Sequence, residues 1–318
     1  MRCPRRLLGA IAGKHPGSIM SNSRLLIIAN PNASQAETAL GPAIGALAEA
    51  GFDIDLRQPD DPAAGPDIVR SQAGSCDAVV VAGGDGTVNA LTDALIDAGR
   101  PVGLLPIGTA NDLALTLGIP DDPEEAAAVI VAAATRPVDV GRVNGRAFMN
   151  VASIGLSVDI ARRQDPQRKQ QWRALSYILT TIEVLGEANR IRARIDCDGE
   201  TIEVDTYQIA VGNGVYYGGG MRIAEDAEID NGMLDVYAIK ATTILDLMAL
   251  APALRAGTYI GRDDVIALRG RSVRISTDTA LPINTDGEVT TETPAEFSVD
   301  RSALTFFAPD KDANEGWI

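Results

Sequence analysis

An unbroken apolar run, Asp77-Ala-Val-Val-Val-Ala82, leads directly into Gly83-Gly84-Asp85-Gly86-Thr87. The run lacks the polar alternation of a half-exposed strand, so it reads as a parallel strand covered on both faces. The glycines at 83, 84 and 86 let the backbone approach a ligand closely and permit positive φ. A helix from about Thr87 to Ala98 follows, and its N-terminus offers unpaired amides and partial positive charge. Strand, glycine turn and helix start in this order form a phosphate cradle. The turn has neither the GK[ST] ending of a P-loop nor G-x-G-x-x-G spacing. Taken alone, it serves equally well as a tight strand–helix connection capped by Thr87.

The surrounding chain repeats the pattern. Arg24–Ala29 is strand-like and ends at Asn30-Pro31-Asn32; Ser34 caps a helix to about Ala50, which Gly51 stops. Phe52–Arg57, Pro66–Ala73, Val102–Leu105 and a helix from about Ala110 continue the alternation. This predicts a doubly wound α/β domain over residues 23–135. A second turn, Leu105-Pro106-Ile107-Gly108-Thr109-Ala110-Asn111-Asp112, again sets Gly-Thr between strand and helix. Ligands of open α/β sheets bind at the carboxyl ends of strands, so the two turns should face one crevice. Asp85 suits a magnesium-bound water, or orients groups of the loop.

Near Pro137 the pattern changes to short strand-like runs separated by DG and NG turns, with helices only at Gln171–Leu185 and Thr243–Arg255. A β-rich second domain is expected over 136–296, followed by a tail over 297–318. Residues 1–22 carry Arg2, Arg5, Arg6 and Lys14 with no acid, and read as a disordered leader or a mis-set start ahead of Met20. No stretch offers eighteen uncharged apolar residues, so no membrane-spanning helix is expected.

Composition then narrows the chemistry. Lys and Arg number 28 against 43 Asp and Glu, a net charge of −15, which excludes a general nucleic-acid binder. The only histidine, His15, sits in the leader. A Ser-His-Asp triad or a histidine zinc site is therefore excluded, and catalysis falls to carboxylates, amides, hydroxyls or a bound metal. Cys3, Cys76 and Cys197 form no C-x-x-C pair and read as reduced thiols of a cytoplasmic protein.

GGDGT at Gly83–Thr87 followed by GTAND at Gly108–Asp112 resembles the diacylglycerol kinase catalytic-domain family, whose members include bacterial lipid kinases and sphingosine and ceramide kinases. The likeness continues through Asn150–Gly155, Val211–Gly214, Gly218–Ala224, Asp230–Asp235 and Asn284–Glu288, and covers Arg24 to Pro309. The resemblance implies an α/β domain like those of NAD kinases and 6-phosphofructokinases, joined to a C-terminal β-sandwich whose last residues return to the first domain. It implies ATP-dependent phosphorylation of a lipid hydroxyl, with diacylglycerol or a related lipid as acceptor. ATP would contact Asn30, Ser34, Gln58, Gly83, Gly84, Asp85, Gly86, Thr87, Val88, Asn89, Ala90, Gly108, Thr109, Asn111 and Asp112.

The family keeps its proton acceptor where this chain has Asn284-Thr-Asp286-Gly287-Glu288, a segment that composition alone reads as a hairpin turn. Glu288 is taken as the acceptor and Asp286 as orienting partner or co-base. Mg²⁺ would arrive with ATP near Asp85. A second, structural Mg²⁺ site would use Glu228, Asn231 and Met233, although relatives carry Asp where Asn231 stands. A basic run, Arg162, Arg163, Arg168, Lys169 and Arg173, beside Trp172 and an apolar stripe, marks a peripheral membrane contact or, equally, a solvated loop and core-packed helix. A homodimer is left open. The competing readings are NAD kinase and a catalytically inactive nucleotide-binding regulator.

Overall fold

The structure is a computed structural model and describes residues 23–30, 36–155, 190–240 and 244–310. The first strands are β1 (Arg24–Ala29), β2 (Asp53–Arg57), β3 (Ala78–Gly83) and β4 (Val102–Pro106), which pair in parallel in the order β2-β1-β3-β4. Helices α1 (Ala36–Glu49), α2 (Gly65–Gln72), α3 (Asp85–Ala98), α4 (Asp112–Leu117) and α5 (Pro123–Ala132) connect and cover them. Every residue of β3 and β4 is buried, as their unbroken apolarity requires.

Beyond α5 the chain is mostly strand. In order come β5 (Thr135–Val143), β6 (Arg146–Phe148), β7 (Val151–Gly155), β8 (Ile191–Cys197), β9 (Glu200–Thr206), β10 (Gln208–Gly212), β11 (Tyr216–Tyr217) and β12 (Met221–Arg222). Then follow β13 (Leu234–Ile239), helix α6 (Ile244–Ala256), β14 (Val265–Gly270), β15 (Ser272–Thr277), β16 (Pro282–Thr285), β17 (Glu288–Glu292) and β18 (Ala295–Phe307). A six-stranded sheet in the order β14-β13-β10-β7-β16-β17 forms one layer of a sandwich. The other layer is not separate. The first sheet continues from β4 through β18, β15, β8 and β9, with β5 and β6 beside β18, making ten strands in all.

The burial pattern explains both layers. β8 alternates buried Ile191, Ala193, Ile195 and Cys197 with outward Arg192 and Arg194, so one face meets the opposing sheet and the other meets solvent. β10 and β13 are buried at every position, because Tyr217, Ile223, Leu250 and Tyr259 cover their far side. Phe148 and Phe297 meet edge to face inside the sandwich, with ring centroids 6.4 Å apart.

Two elements differ from the sequence reading. The helix expected from about Ala110 is two helices: Gly118, at φ +69°, closes α4, and the Asp122 side chain caps α5 through the Glu124 and Glu125 amides. The apolar runs Phe297–Val299 and Leu304–Ala308 belong to one strand, β18, whose pairing to β5 shifts register between Asp300 and Leu304. The leader and the expected helix Gln171–Leu185 lie outside the described residues.

Candidate active site

The two glycine turns touch through their backbones. A Cβ on Gly108 would sit 2.4 Å from the Gly84 Cα and 2.6 Å from the Asn111 Oδ1. A Cβ on Gly84 would lie 2.9 Å from the Gly108 Cα, and one on Gly83 would strike the Thr87 side chain at 2.5 Å. None of these three glycines has positive φ, so close approach rather than a left-handed backbone demands them here. The Ile107 amide donates to the Gly83 carbonyl at 3.2 Å, tying the turns together. Asn111 adopts φ +54° and accepts the Gly108 amide on Oδ1 at 3.1 Å. Asn30, at the end of β1, donates through Nδ2 to the Thr87 hydroxyl at 3.0 Å.

Over these turns opens a cavity of about 590 Å³, lined by Asn30, Gly84 to Thr87, Ala90, Gly108 to Ala110 and, from the far domain, Glu288. Its size falls within the range of about 300–1,000 Å³ common for small-ligand sites. Pro59, Pro62 and Gly65 close the side beyond β2. Asp85 and Glu288 are the only charged residues among the described lining, which contains no Lys or Arg.

Several sequence candidates lie elsewhere. Gln58 is exposed and outside the lining, while Pro59 beside it is part of the wall. Val88 is buried in the core, and Asn89 is half-buried on α3 outside the wall. Asn111 and Asp112 are buried behind the second turn. Ser34 lies outside the described residues.

Three carboxylates tie separate backbone segments together around this cavity. Asp85 accepts the Asp112 and Leu113 amides at 3.0 and 2.9 Å, and so satisfies the N-terminus of α4. Asp112 in turn accepts the Gly219 and Gly220 amides at 2.9 and 2.8 Å from the turn between β11 and β12. Burial, reinforced by the nearby Asp85 charge, holds Asp112 above its ordinary value despite those donors. Asp286 accepts three amides, Met149 at 2.7 Å, Asn150 at 2.9 Å and Val151 at 2.9 Å. Burial pushes its carboxyl up to about 6, with Asp85 adding to the effect and the three donors opposing it. Asp286 and Gly287 have φ of +49° and +99°, the backbone of a two-residue hairpin turn between β16 and β17. That turn presents Glu288 to the cavity with its residue exposed.

The segment around Asn231 is closed by the protein itself. The Asn231 Oδ1 accepts the Met233 amide at 2.9 Å, and Asp230 pairs with the Arg136 Nε at 3.0 Å. The Gly232 amide donates to the buried Asp139 at 2.6 Å, and the Arg301 side chain packs over Gly232. The other Asp139 oxygen accepts the Ser302 amide at 2.7 Å. Among the described residues no three His, Cys, Asp or Glu side chains cluster as metal ligands. Glu228 is exposed on this segment.

Sequence reasoning did not single out Asp139, Asn150 or Asn213. Asn150 is 4% exposed, and its Nδ2 donates to the Asp85 Oδ1 at 3.2 Å. Asn213 is 2% exposed and donates to the Asp139 and Met149 carbonyls at 3.0 and 2.8 Å. Asn150 and Asn213 fall in the segments Asn150–Gly155 and Val211–Gly214, the signal that could have found them.

Both halves of the chain resemble known proteins. Residues 24–143 match the diacylglycerol kinase catalytic domain, and residues 150–308 match the YegS C-terminal NAD kinase beta sandwich-like domain. The diacylglycerol kinase of Bacillus subtilis (strain 168) is 30% identical over 226 residues, spanning 70% of this chain and 74% of that one. A probable lipid kinase YegS-like from Stenotrophomonas maltophilia (strain K279a) is 34% identical over 224 residues, spanning 67% and 72%. A solved diacylglycerol kinase from Bacillus anthracis str. Sterne superposes with a TM-score of 0.77 at 29% identity, over 90% of this chain and 97% of that one. The chain belongs to the diacylglycerol kinase family, phosphotransferases that use an alcohol group as acceptor.

Proposed function

We propose that the chain is an ATP-dependent lipid kinase that transfers the γ-phosphoryl group to a hydroxyl of diacylglycerol or a closely related lipid. The observation that carries this reading is Glu288, an exposed carboxylate from the sandwich half, on the wall of the cavity formed by the glycine turns.

ATP phosphates fit against the backbone of Gly84 to Thr87 and of Gly108 and Thr109, where the glycines leave room for close approach and the α3 N-terminus favours negative charge. Magnesium bound to the triphosphate supplies the positive charge that this wall lacks. Asn30 holds the Thr87 hydroxyl in place. Glu288 accepts the proton of the attacking lipid hydroxyl as the phosphoryl group transfers. Asp286, with both oxygens engaged by three amides, fixes the turn rather than taking the proton. Asp85 lines the cavity and orders the loop that precedes α4.

The segment holding Glu228, Asn231 and Met233 does not fit a structural Mg²⁺. Its side-chain oxygen at Asn231 is neutral and accepts an amide of its own turn, and Asp230 faces Arg136. No described helix is long and apolar enough to cross a membrane. Contact with a lipid surface falls to the basic run Arg162, Arg163, Arg168, Lys169 and Arg173 beside Trp172, which lies outside the described residues.

The test supplies γ-labelled ATP, Mg²⁺ and vesicles containing diacylglycerol. Labelled phosphatidate is expected, and Glu288→Gln should lower turnover by about 10²-fold or more while ATP still binds. Undiminished turnover of that variant would remove Glu288 from the mechanism. Label passing to NAD instead of lipid would identify a NAD kinase, and ATP binding without transfer to any acceptor would identify a regulator.

A further inference from the structure

Asn150 lies between β6 and β7, in neither glycine turn and away from the cavity wall, yet it touches both halves of the machinery. Its backbone amide donates to the Asp286 Oδ1 at 2.9 Å, and its side-chain Nδ2 donates to the Asp85 Oδ1 at 3.2 Å. Its carbonyl accepts the Asn213 and Gly214 amides at 2.9 and 3.0 Å, which anchors the residue from a third direction. One side chain and its own backbone therefore span from the first residue of α3 to the turn that carries Glu288.

The side-chain oxygen sharpens the argument. The Asn150 Oδ1 is buried and has no partner among the described residues, and a Cβ on Gly214 would lie 3.0 Å from it. An unmatched buried carbonyl oxygen works against folding. A small apolar residue could still offer the backbone groups that bond Asp286, Asn213 and Gly214, and would remove that cost. What it could not supply is a donor to Asp85. The amide is also the type of side chain this place requires: a neutral donor, set between two carboxylates, that adds no third negative charge.

We propose that Asn150 is a positioning residue for phosphoryl transfer. By bridging Asp85 and Asp286, it sets the separation between the phosphate cradle and Glu288. The proposal rests on the lipid-kinase reading for its kinetic consequence, but the bridge itself can be measured without any substrate. Misplacement by about 1 Å between reacting groups can cost on the order of 10²-fold in rate, so a single hydrogen bond lost behind the cavity wall can act mainly on turnover.

The experiment compares wild type, Asn150→Ala and Asn150→Asp. Lipid-kinase kinetics give kcat and the KM for ATP, and amide hydrogen exchange follows residues 149–151 and 286–288. Asn150→Ala should lower kcat by about 10²-fold, leave the KM for ATP within about threefold, and speed exchange at the hairpin. Asn150→Asp sets a third carboxylate against Asp85 and Asp286, and only its protonated form can donate. Its activity relative to wild type should therefore rise as pH falls, a response that a purely structural role would not give. Unchanged kcat in both variants, faster exchange without a kinetic effect, or losses of kcat and ATP affinity in equal measure would each overturn the proposal. If wild type phosphorylates no lipid, the functional reading fails alone. Unchanged exchange at the hairpin would then still refute the bridge, and faster exchange would sustain it.

Discussion

Gly86 and Gly108 both line the cavity over the glycine turns, yet a methyl group added to each meets different surroundings. At Gly108 it would press on the Gly84 backbone at 2.4 Å, where nothing can rotate away. Gly108→Ala should force the turns apart, lowering the melting temperature and abolishing ATP binding by calorimetry. At Gly86 it would meet nothing within 4 Å, inside a helix where Ala is favoured over Gly by up to about 1 kcal/mol. Gly86→Ala should thus melt slightly higher while binding ATP more weakly, because it adds a methyl to a residue of the cavity wall. A pair that loses affinity together without this opposite shift in melting would contradict the geometry. Asp286 carries a different signature. Burial holds it up to about 6, whereas an unfolded Asp titrates at about 3.9. The folded state therefore binds this proton more tightly, and the Asp286 contribution to stability is greatest at low pH and declines as pH rises from about 4 to about 6. Asp198, Asp226 and Asp264 are held below their ordinary values and act in the opposite sense. Only the difference between wild type and Asp286→Asn isolates the site. Urea unfolding should show wild type losing on the order of 3 kcal/mol relative to the variant over that interval, and a flat difference would refute the shift.

At the scale of elements, Asp139 on β5 decides how two irregular segments are held. It is 3% exposed, and its two oxygens take the Gly232 and Ser302 amides. Ser302 has φ +50° and lies within the register shift of β18. Asp139→Ala would leave two amides without an acceptor, at a cost of about 2–4 kcal/mol, measurable by urea unfolding. The same construction predicts that EDTA leaves the melting temperature of the ligand-free protein unchanged, because Asp139, Arg136 and Arg301 close the Asn231 segment without metal. A melting temperature that drops in EDTA and returns with Mg²⁺ would establish an ion there. These elements also show what a sequence discloses. The Asp286-Gly287 turn was legible, because few residues other than Gly and Asn or Asp tolerate positive φ. That the Asp286 carboxylate faces Met149 to Val151 was not, since the partners lie over 130 positions away. Likewise the apolar runs of β18 were visible, but their union into one strand depends on the Asp139 bond to the intervening backbone.

Over the whole molecule, the change of pattern near Pro137 was plain in the sequence, and it separates a helix-rich half from a strand-rich half. Local pattern could not reveal that both halves share one sheet. The joint is β18, whose Phe306 pairs with Val102 of β4 and whose Phe297 pairs with Val273 of β15. No periodicity within a short window reports pairing between residues some two hundred positions apart. Phe306 and Phe307 are fully buried in the core of the helix-rich half, together with Val138 and Leu304. A fragment ending before β5 would therefore expose the free edge of β4 and lose part of its own core. The division into two halves is one of layer architecture, and unfolding should not follow it. We expect calorimetry of the full chain to give a single transition with equal calorimetric and van't Hoff enthalpies, and residues 23–134 alone to lack a cooperative melt. ATP supplies the stricter test. On the proposed reading it sits mainly against the helix-rich half, and at about 100 times its Kd it should stabilise the protein by about 2.7 kcal/mol. With one shared sheet, that stabilisation must reach β9 at its far edge, so hydrogen exchange through global opening should slow there as much as in β3. Slowing confined to β1, β3 and β4 would mean that β18 joins the halves in space without coupling their stability.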